Sequence, residues 1–242
     1  PTTRSDRSAD LRPVGHHLTL LAQTLEGYKN LVALSSAGYA EGFFFRPRID
    51  REILASHASG LILLTGCIHS ALCESVLKQD QKTADSIIGF YLDAFGRDRT
   101  FVEIQRHGLD EEEILLERLS ILAKKYRLPK VATNDVHYLN AEDAEAQRIA
   151  MDMRSRKLPT DPRRARFLKP AYGLRTAKEW SAAFGKDHPD ALETAQEIAA
   201  GCRVTPEDIR FHKFLKQDPR AASRLKDVVD RAARRLGTPS SD

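Results

Sequence analysis

An aspartate and a histidine stand two positions apart at the end of the run KVATNDVHY (130–138). Successive side chains of a strand point to opposite faces, so the pattern places Asp135 and His137 on one face of a predicted strand. A carboxylate and an imidazole at a strand end can hold a divalent metal. An Asp and a His in a strand-to-helix loop are more often a helix cap and a surface residue. The pair alone therefore indicates a metal site only weakly.

Two further candidate ligands lie far away in the sequence. Cys67 ends the apolar run GLILLTGC (60–67), and His17 begins the strand candidate HHLTLLA (16–22). Imidazole, thiolate and carboxylate are ligands of zinc or manganese sites, and wide spacing is usual for catalytic sites rather than zinc fingers. Singly, Cys67 is better explained as a packed core thiol and His17 as a surface residue. The chain has no CxxC, GxGxxG, GxxxxGK[ST] or GxSxG motif, which argues against a zinc finger, the common nucleotide-binding folds and a serine hydrolase.

Hydrophobic periodicity predicts the elements that must position these residues. Strands are predicted at 16–22, 60–67, 101–105 and 131–135, and helices at 26–40, 50–57, 69–78, 80–95, 110–126, 141–153, 176–184, 189–201 and 221–236. Alternating strands and helices predict a parallel sheet whose ligands gather at the carboxyl ends of the strands. Cys67, Asp135 and His137 fall at such ends. His17 begins its strand, and the pattern offers no explanation for that.

Composition limits the class of protein. The chain has 242 residues, of which 41% are hydrophobic and 30% charged, as in a soluble chain with one large or two small domains. No apolar run approaches the ~20 residues that cross a membrane. The polar start PTTRSDRSADLRP does not resemble a signal peptide. Three cysteines form no even disulfide framework, so a cytoplasmic location is expected.

Positive charge is concentrated in two places. The net charge of +4 resides in the tail from residue 203 onward, and residues 154–178 carry nine basic side chains and one acid. The second segment could contact phosphates or could form a solvated loop face. Its candidate phosphate-binding residues are Arg163, Arg164, Arg166 and Lys169.

Four blocks together resemble one known family. They are HLTLLAQTLEGYKNLVALSSAGYAEGF, FRPRIDREILASHASGLILLTGC, FVEIQRHGL and KVATNDVHYLNAEDAEAQ. In this order and spacing they look like the polymerase and histidinol phosphatase (PHP) domain of the bacterial DNA polymerase III alpha subunit. The similarity covers approximately residues 16–202.

The resemblance implies a distorted (βα)7 barrel that holds up to three divalent metals. In members with the full ligand set it implies a metal-dependent 3′–5′ exonuclease. On that pattern His17 and Cys67 match two ligands of one metal, Asp135 a ligand of a second and His137 a ligand of the third, with Asp135 and His137 as the catalytic pair. His107, in QRHGL, also matches a family block; we assign it no ligand role and expect it to position or pack.

Several family blocks are not found in these 242 residues: the HxHxxxxxS block, the TDH block and the glutamate-bearing strand after them. Because these carry most of the metal ligands, the resemblance implies that a site for Zn, Mn or Mg is incomplete in this chain. No paired-Asp palm motif occurs either. We therefore expect little activity from the chain alone, whether it is a fragment, a split-gene product or a degenerate copy.

These observations predict an α/β fold, a partial PHP-type barrel followed by a helical connector. We expect a lead-in at 1–15, the partial barrel at 16–158, a helical end at 159–202 and a basic connector at 203–242. The expected partners are DNA, the remainder of a polymerase alpha subunit and other replicative subunits, with no membrane. Two alternatives stay open, a stand-alone PHP phosphoesterase that acts on a small phosphate monoester and a non-catalytic structural or DNA-binding module.

Overall fold

A computed structural model of the chain describes residues 3–5, 15–155, 172–205 and 208–209. The chain divides into two compact units, residues 1–204 and 205–242. In the second unit, the backbone N–H and the hydroxyl of Thr205 both bond to the Asp208 carboxylate at 3.0 Å. The predicted helix at 221–236 and most of the basic connector lie outside the described residues.

Four strands form one sheet in the order β1-β2-β3-β4. They are β1 (Thr19–Ala22), β2 (Leu61–Leu64), β3 (Thr100–Ile104) and β4 (Lys130–Ala132). The last three are parallel, as predicted. In the part of the chain that the structure describes, β1 and β4 are the edges and the sheet is not closed. The mixed α/β class is therefore confirmed, with an open sheet instead of a complete barrel.

Strand β1 runs antiparallel to β2, so the expectation of a wholly parallel sheet is wrong at this strand. Ala22 lies opposite Leu61, and Thr19 lies opposite Leu64. The backbone N–H of Gln23 bonds to the Gly60 carbonyl at 2.9 Å. The segment 23–60 between the two strands returns the chain to the end of the sheet at which it left.

Eight α-helices surround the sheet in the described residues, and their positions agree with the periodicity. Five of them begin at a side-chain oxygen that accepts a backbone N–H, and these caps are Thr24, Asp50, Ser70, Asp80 and Thr176. Such a cap contributes about 1 kcal/mol. The helices are α1 (Leu25–Ala40), α2 (Arg51–Ser56), α3 (Ala71–Leu77), α4 (Gln81–Phe95), α5 (Asp110–Tyr126), α6 (Ala144–Ser155), α7 (Ala177–Phe184) and α8 (Pro189–Gly201).

Both faces of the sheet are buried, and strand β2 shows why its run is continuously apolar. Leu61 and Leu63 belong to the larger core, which the helices of one face complete. Ile62 and Leu64 pack with Ile198 of α8 on the other face. Covered faces leave the ends of the strands as the accessible parts of the sheet. None of the described helices is long and apolar enough to cross a membrane.

Candidate metal centre

His17 and Cys67 meet at one end of the sheet, although 49 residues separate them. The Nδ1 atom of His17 lies 3.3 Å from the Cys67 Sγ. The antiparallel direction of β1 explains this contact, because the start of β1 lies beside the carboxyl end of β2. The His17 backbone N–H also bonds to the His69 carbonyl at 3.1 Å. His17, which sequence reasoning left without an explanation, is thus placed at the expected edge.

Gly66 makes this approach possible. Its φ of +90° is in the region that favours glycine, and a Cβ built there would lie 2.8 Å from the His17 carbonyl oxygen and 2.8 Å from the Ser70 Cβ. The turn before Cys67 therefore has no room for a side chain. A larger residue would push the His17 backbone away from the Cys67 loop.

Asp135 and His137 lie in the loop after β4, because this strand ends at Ala132. The argument that alternation along a strand places them on one face is therefore wrong. The loop nevertheless holds them together: His137 Nδ1 lies 2.8 Å from the Asp135 carbonyl oxygen and 3.7 Å from its Oδ1. The His137 backbone N–H bonds to the Tyr172 carbonyl at 2.9 Å.

Burial and two carboxylates act on the Cys67 thiol. Burial raises the pKa of this thiol, and the charges of Asp135 and Glu103 raise it further, against a lowering backbone hydrogen bond from His69. The charge of Asp135, in the loop after β4, thus disfavours the thiolate of Cys67. Within the described ranges, however, no three His, Cys, Asp or Glu side chains converge closely enough to enclose one metal ion.

Glu103 borders the candidate site, and sequence reasoning missed it. It lies near the carboxyl end of β3 and is only 4% exposed. Its carboxylate accepts the Gly66 backbone N–H at 2.9 Å and the Thr133 hydroxyl at 2.5 Å. Its own backbone N–H bonds to the Thr65 hydroxyl at 2.9 Å. The available signal was a single acid inside the apolar strand FVEIQ, since a carboxylate is seldom buried without a specific partner.

His107 contacts the same region through the backbone of Asp135. Its ring is 2% exposed, and its Nδ1 lies 2.6 Å from a carboxylate oxygen of Glu112. Its Nε2 accepts the Asp135 backbone N–H at 3.1 Å and lies 2.8 Å from Asn134 Oδ1. These contacts tie the ring to Glu112 on one side and to the Asn134–Asp135 segment on the other.

The Glu112 carboxylate in turn holds the chain that leads into α5. It accepts the backbone N–H groups of His107 and of Leu109. Burial raises the pKa of Glu112, but its hydrogen bonds from His107 and Leu109 outweigh burial and hold the pKa below its ordinary value. A charged Glu112 is therefore part of the folded arrangement.

The candidate phosphate-binding residues Arg163, Arg164, Arg166 and Lys169 lie outside the described residues. Arg175 belongs to the same basic segment, 154–178, and is described. Its guanidinium bonds to the Arg106 carbonyl. Burial lowers the pKa of Arg175. This arginine therefore takes part in the packing of the described fold.

Comparison with known proteins agrees with the resemblance of the sequence blocks. Residues 6–107 match the family described as PHP domain. The chain is 42% identical over 192 residues to the DNA polymerase III subunit alpha of Thermus aquaticus, which covers 78% of this chain. It is 37% identical over 207 residues to the subunit of the same name from Treponema pallidum, covering 84% of this chain.

These relatives are much longer than the chain. The matched region is 16% of the Thermus aquaticus protein and 17% of the Treponema pallidum protein. The same subunit of Deinococcus radiodurans is 36% identical over 206 residues, which is 15% of its length. The similarity therefore concerns one region of large proteins.

Proposed function

This chain is a PHP-domain relative of bacterial DNA polymerase III alpha subunits, and from that premise we propose that it supplies part of a divalent-metal site. The chemistry of such a site would be phosphodiester hydrolysis of the 3′–5′ exonuclease type. His17 and Cys67 would hold one metal, Asp135 would contribute to a second and His137 to a third.

The contact between His17 and Cys67 is the observation that carries this proposal. An imidazole nitrogen and a sulfur at 3.3 Å, brought together from separate strands, form a pair of donors at the strand ends where ligands gather. His17 is exposed and Cys67 half-buried, so an ion could reach both. Asp135 and His137 add an oxygen and a nitrogen donor on the neighbouring loop.

The nitrogen, sulfur and oxygen donors fit a metal ion of intermediate softness. Imidazole and thiolate favour zinc, while carboxylate and imidazole also suit manganese. Bound cations would polarise a phosphodiester and supply a hydroxide at neutral pH. Because burial and neighbouring carboxylates raise the pKa of Cys67, metal binding must displace the thiol proton, and affinity should rise with pH.

We also propose that the chain alone has weak catalytic power. The described residues bring donors together in pairs and not in groups of three. The additional ligands implied by the family blocks are not found in these 242 residues. DNA, other parts of an alpha subunit and other replicative subunits are the proposed partners. A stand-alone phosphoesterase and a non-catalytic module are the alternatives that activity measurements address.

The two-donor site can be tested with Co²⁺, because a cobalt–thiolate bond has a characteristic charge-transfer absorption. We expect this absorption on titration of the native chain, and its loss in Cys67→Ser and weakening in His17→Ala. Cys202→Ser is the matched control, because it removes a half-buried thiol that lies with the small core cluster beside α8. Absence of the band in the native chain, or its loss in Cys202→Ser alone, would reject the proposed site.

A further inference from the structure

Glu103 occupies a central place between the two loops that carry the candidate ligands. One carboxylate oxygen accepts the backbone N–H of Gly66, the residue before Cys67, at 2.9 Å. The other accepts the Thr133 hydroxyl at 2.5 Å, two residues before Asp135. The same carboxylate therefore bonds to the loop after β2 and to the loop after β4.

Gln105 closes this arrangement. Its side-chain amide donates to Glu103 at 3.1 Å and to the Thr133 hydroxyl at 3.0 Å. Glu103 thus accepts three hydrogen bonds while it is nearly excluded from water. A carboxylate held this way is fixed in orientation, because each oxygen already has a donor.

Among the described residues, no cationic side chain pairs with the Glu103 carboxylate. No ion pair of this carboxylate occurs in the portion of the chain that the structure describes. A buried anion without a cation is costly, and three neutral donors offset that cost only partly. A metal ion among Cys67 and Asp135 would supply the balancing positive charge.

We infer that Glu103 is a positioning residue that fixes the distance between the Cys67 loop and the Asp135 loop and favours a divalent cation between them. This inference rests on the proposed function for the identity of the site, but the mechanical coupling can be measured without metal. Its specific consequence is that a change at Thr133 alters Cys67, because Glu103 bonds both to the Thr133 hydroxyl and to the backbone of Gly66 beside Cys67.

Two substitutions separate the coupling from the charge. Thr133→Val has nearly the same shape but removes the hydroxyl that bonds to Glu103, and Thr133→Ser, which keeps a hydroxyl, is the matched control. Glu103→Gln keeps an oxygen that can accept the Gly66 N–H but removes the charge. The first variant should loosen the Cys67 loop, and the second should weaken cation binding.

The metal-free measurement is amide hydrogen exchange at Gly66 by NMR, together with alkylation of Cys67 by iodoacetamide. In Thr133→Val we expect Gly66 exchange to rise about tenfold, the effect of one lost hydrogen bond. Cys67 alkylation should rise with it, while the buried Cys73 stays unreactive. Exchange at Ile88, deep in α4, reports global destabilisation and should stay unchanged. Unchanged Gly66 exchange in Thr133→Val, or an equal rise at Ile88, would overturn the inference.

Co²⁺ titration provides the second measurement. We expect both Glu103→Gln and Thr133→Val to lower affinity by about ten- to a hundredfold, as substitution of an outer partner typically does, with Thr133→Ser close to native. If the native chain gives no cobalt–thiolate band, the proposed function fails, and the exchange data still decide whether Glu103 couples the loops. If the native chain binds cobalt and the first two variants bind it equally well, the role of Glu103 in the site is wrong.

Discussion

The imidazole of His107 lies parallel to the ring of Tyr172, with the ring centroids 4.3 Å apart and the planes inclined by 8°. The His137 ring lies nearly perpendicular to the same tyrosine ring, with the centroids 5.5 Å apart and the planes inclined by 82°. Tyr172 thus contacts both the histidine that bonds to the Asp135 backbone and the candidate ligand two residues further on. Tyr172 therefore packs against the loop that follows β4.

The buried pair of His107 and Glu112 predicts a specific pH dependence of stability. The pKa of Glu112 in the folded chain lies below its ordinary value of 4.5. Its contribution to the free energy of unfolding is therefore fully present above pH 4.5. It is lost as the pH falls through the folded pKa. We expect Glu112→Gln to lower the free energy of unfolding by about 2 kcal/mol at neutral pH. Urea unfolding should show this difference shrinking below pH 4.5, and a difference that is constant with pH would contradict the assignment.

Gly66→Ala tests the close approach of β1 to the Cys67 loop. We expect a loss of about 1–3 kcal/mol, because alanine is strained at a φ of +90° and its Cβ would meet the His17 carbonyl. Gly89→Ala in α4 is the control, since a Cβ there meets nothing within 4 Å. It should stabilise the chain by about 0.5–1 kcal/mol. Thermal unfolding of both variants is the measurement, and equal effects would refute the steric argument.

The chain alone should cleave DNA poorly. With donors arranged in pairs in the described residues, a site of several metals has too few ligands to form. Incubation of the native chain with 3′-labelled single-stranded DNA and Mn²⁺ or Zn²⁺ should release little or no label. His137→Ala serves as the control. Robust cleavage that disappears in this variant would show that the present ligands suffice.

Binding of DNA by the basic segment should be independent of sequence and sensitive to salt. If Arg163, Arg164, Arg166 and Lys169 contact phosphates, log affinity for a single strand should fall by about 0.7 per contact for each log unit of salt. Replacing all four with Ala should reduce that slope. Fluorescence anisotropy with a short oligonucleotide across a salt series measures both chains. Equal slopes would assign any binding to the basic tail after residue 203.

The order of elements could be predicted from the sequence because each has a local cause. The cap residues Asp50 and Ser70 begin helices where expected, and the buried run of β2 is visible as continuous apolar residues. The direction of β1 could not be predicted, because it depends on where two helices return the chain. The end of β4 was also misplaced, since the residues after Ala132 have a strand-like pattern but turn into a loop.

Of the candidate site, the sequence could name only the proposed ligands. His17, Cys67, Asp135 and His137 have side chains whose chemistry is evident from the letters alone. Glu103 and Glu112 act through contacts with Gly66, Thr133 and His107, and such contacts depend on three-dimensional neighbours that no spacing encodes. Both glutamates are buried, a property that they share with Asp152 and that the other acids of the described residues lack.

The antiparallel pairing of β1 also has a consequence for the order of folding. Residues 23–60 separate its last residue from the first residue of β2, so a long segment must lose its freedom before this pair can form. In the described residues β1 is also an edge of the sheet, and its four residues are only half-buried, whereas all four residues of β2 are buried. We therefore expect β1 to dock late during folding and to detach early in local unfolding. His17 would then reach Cys67 only as the last contacts form.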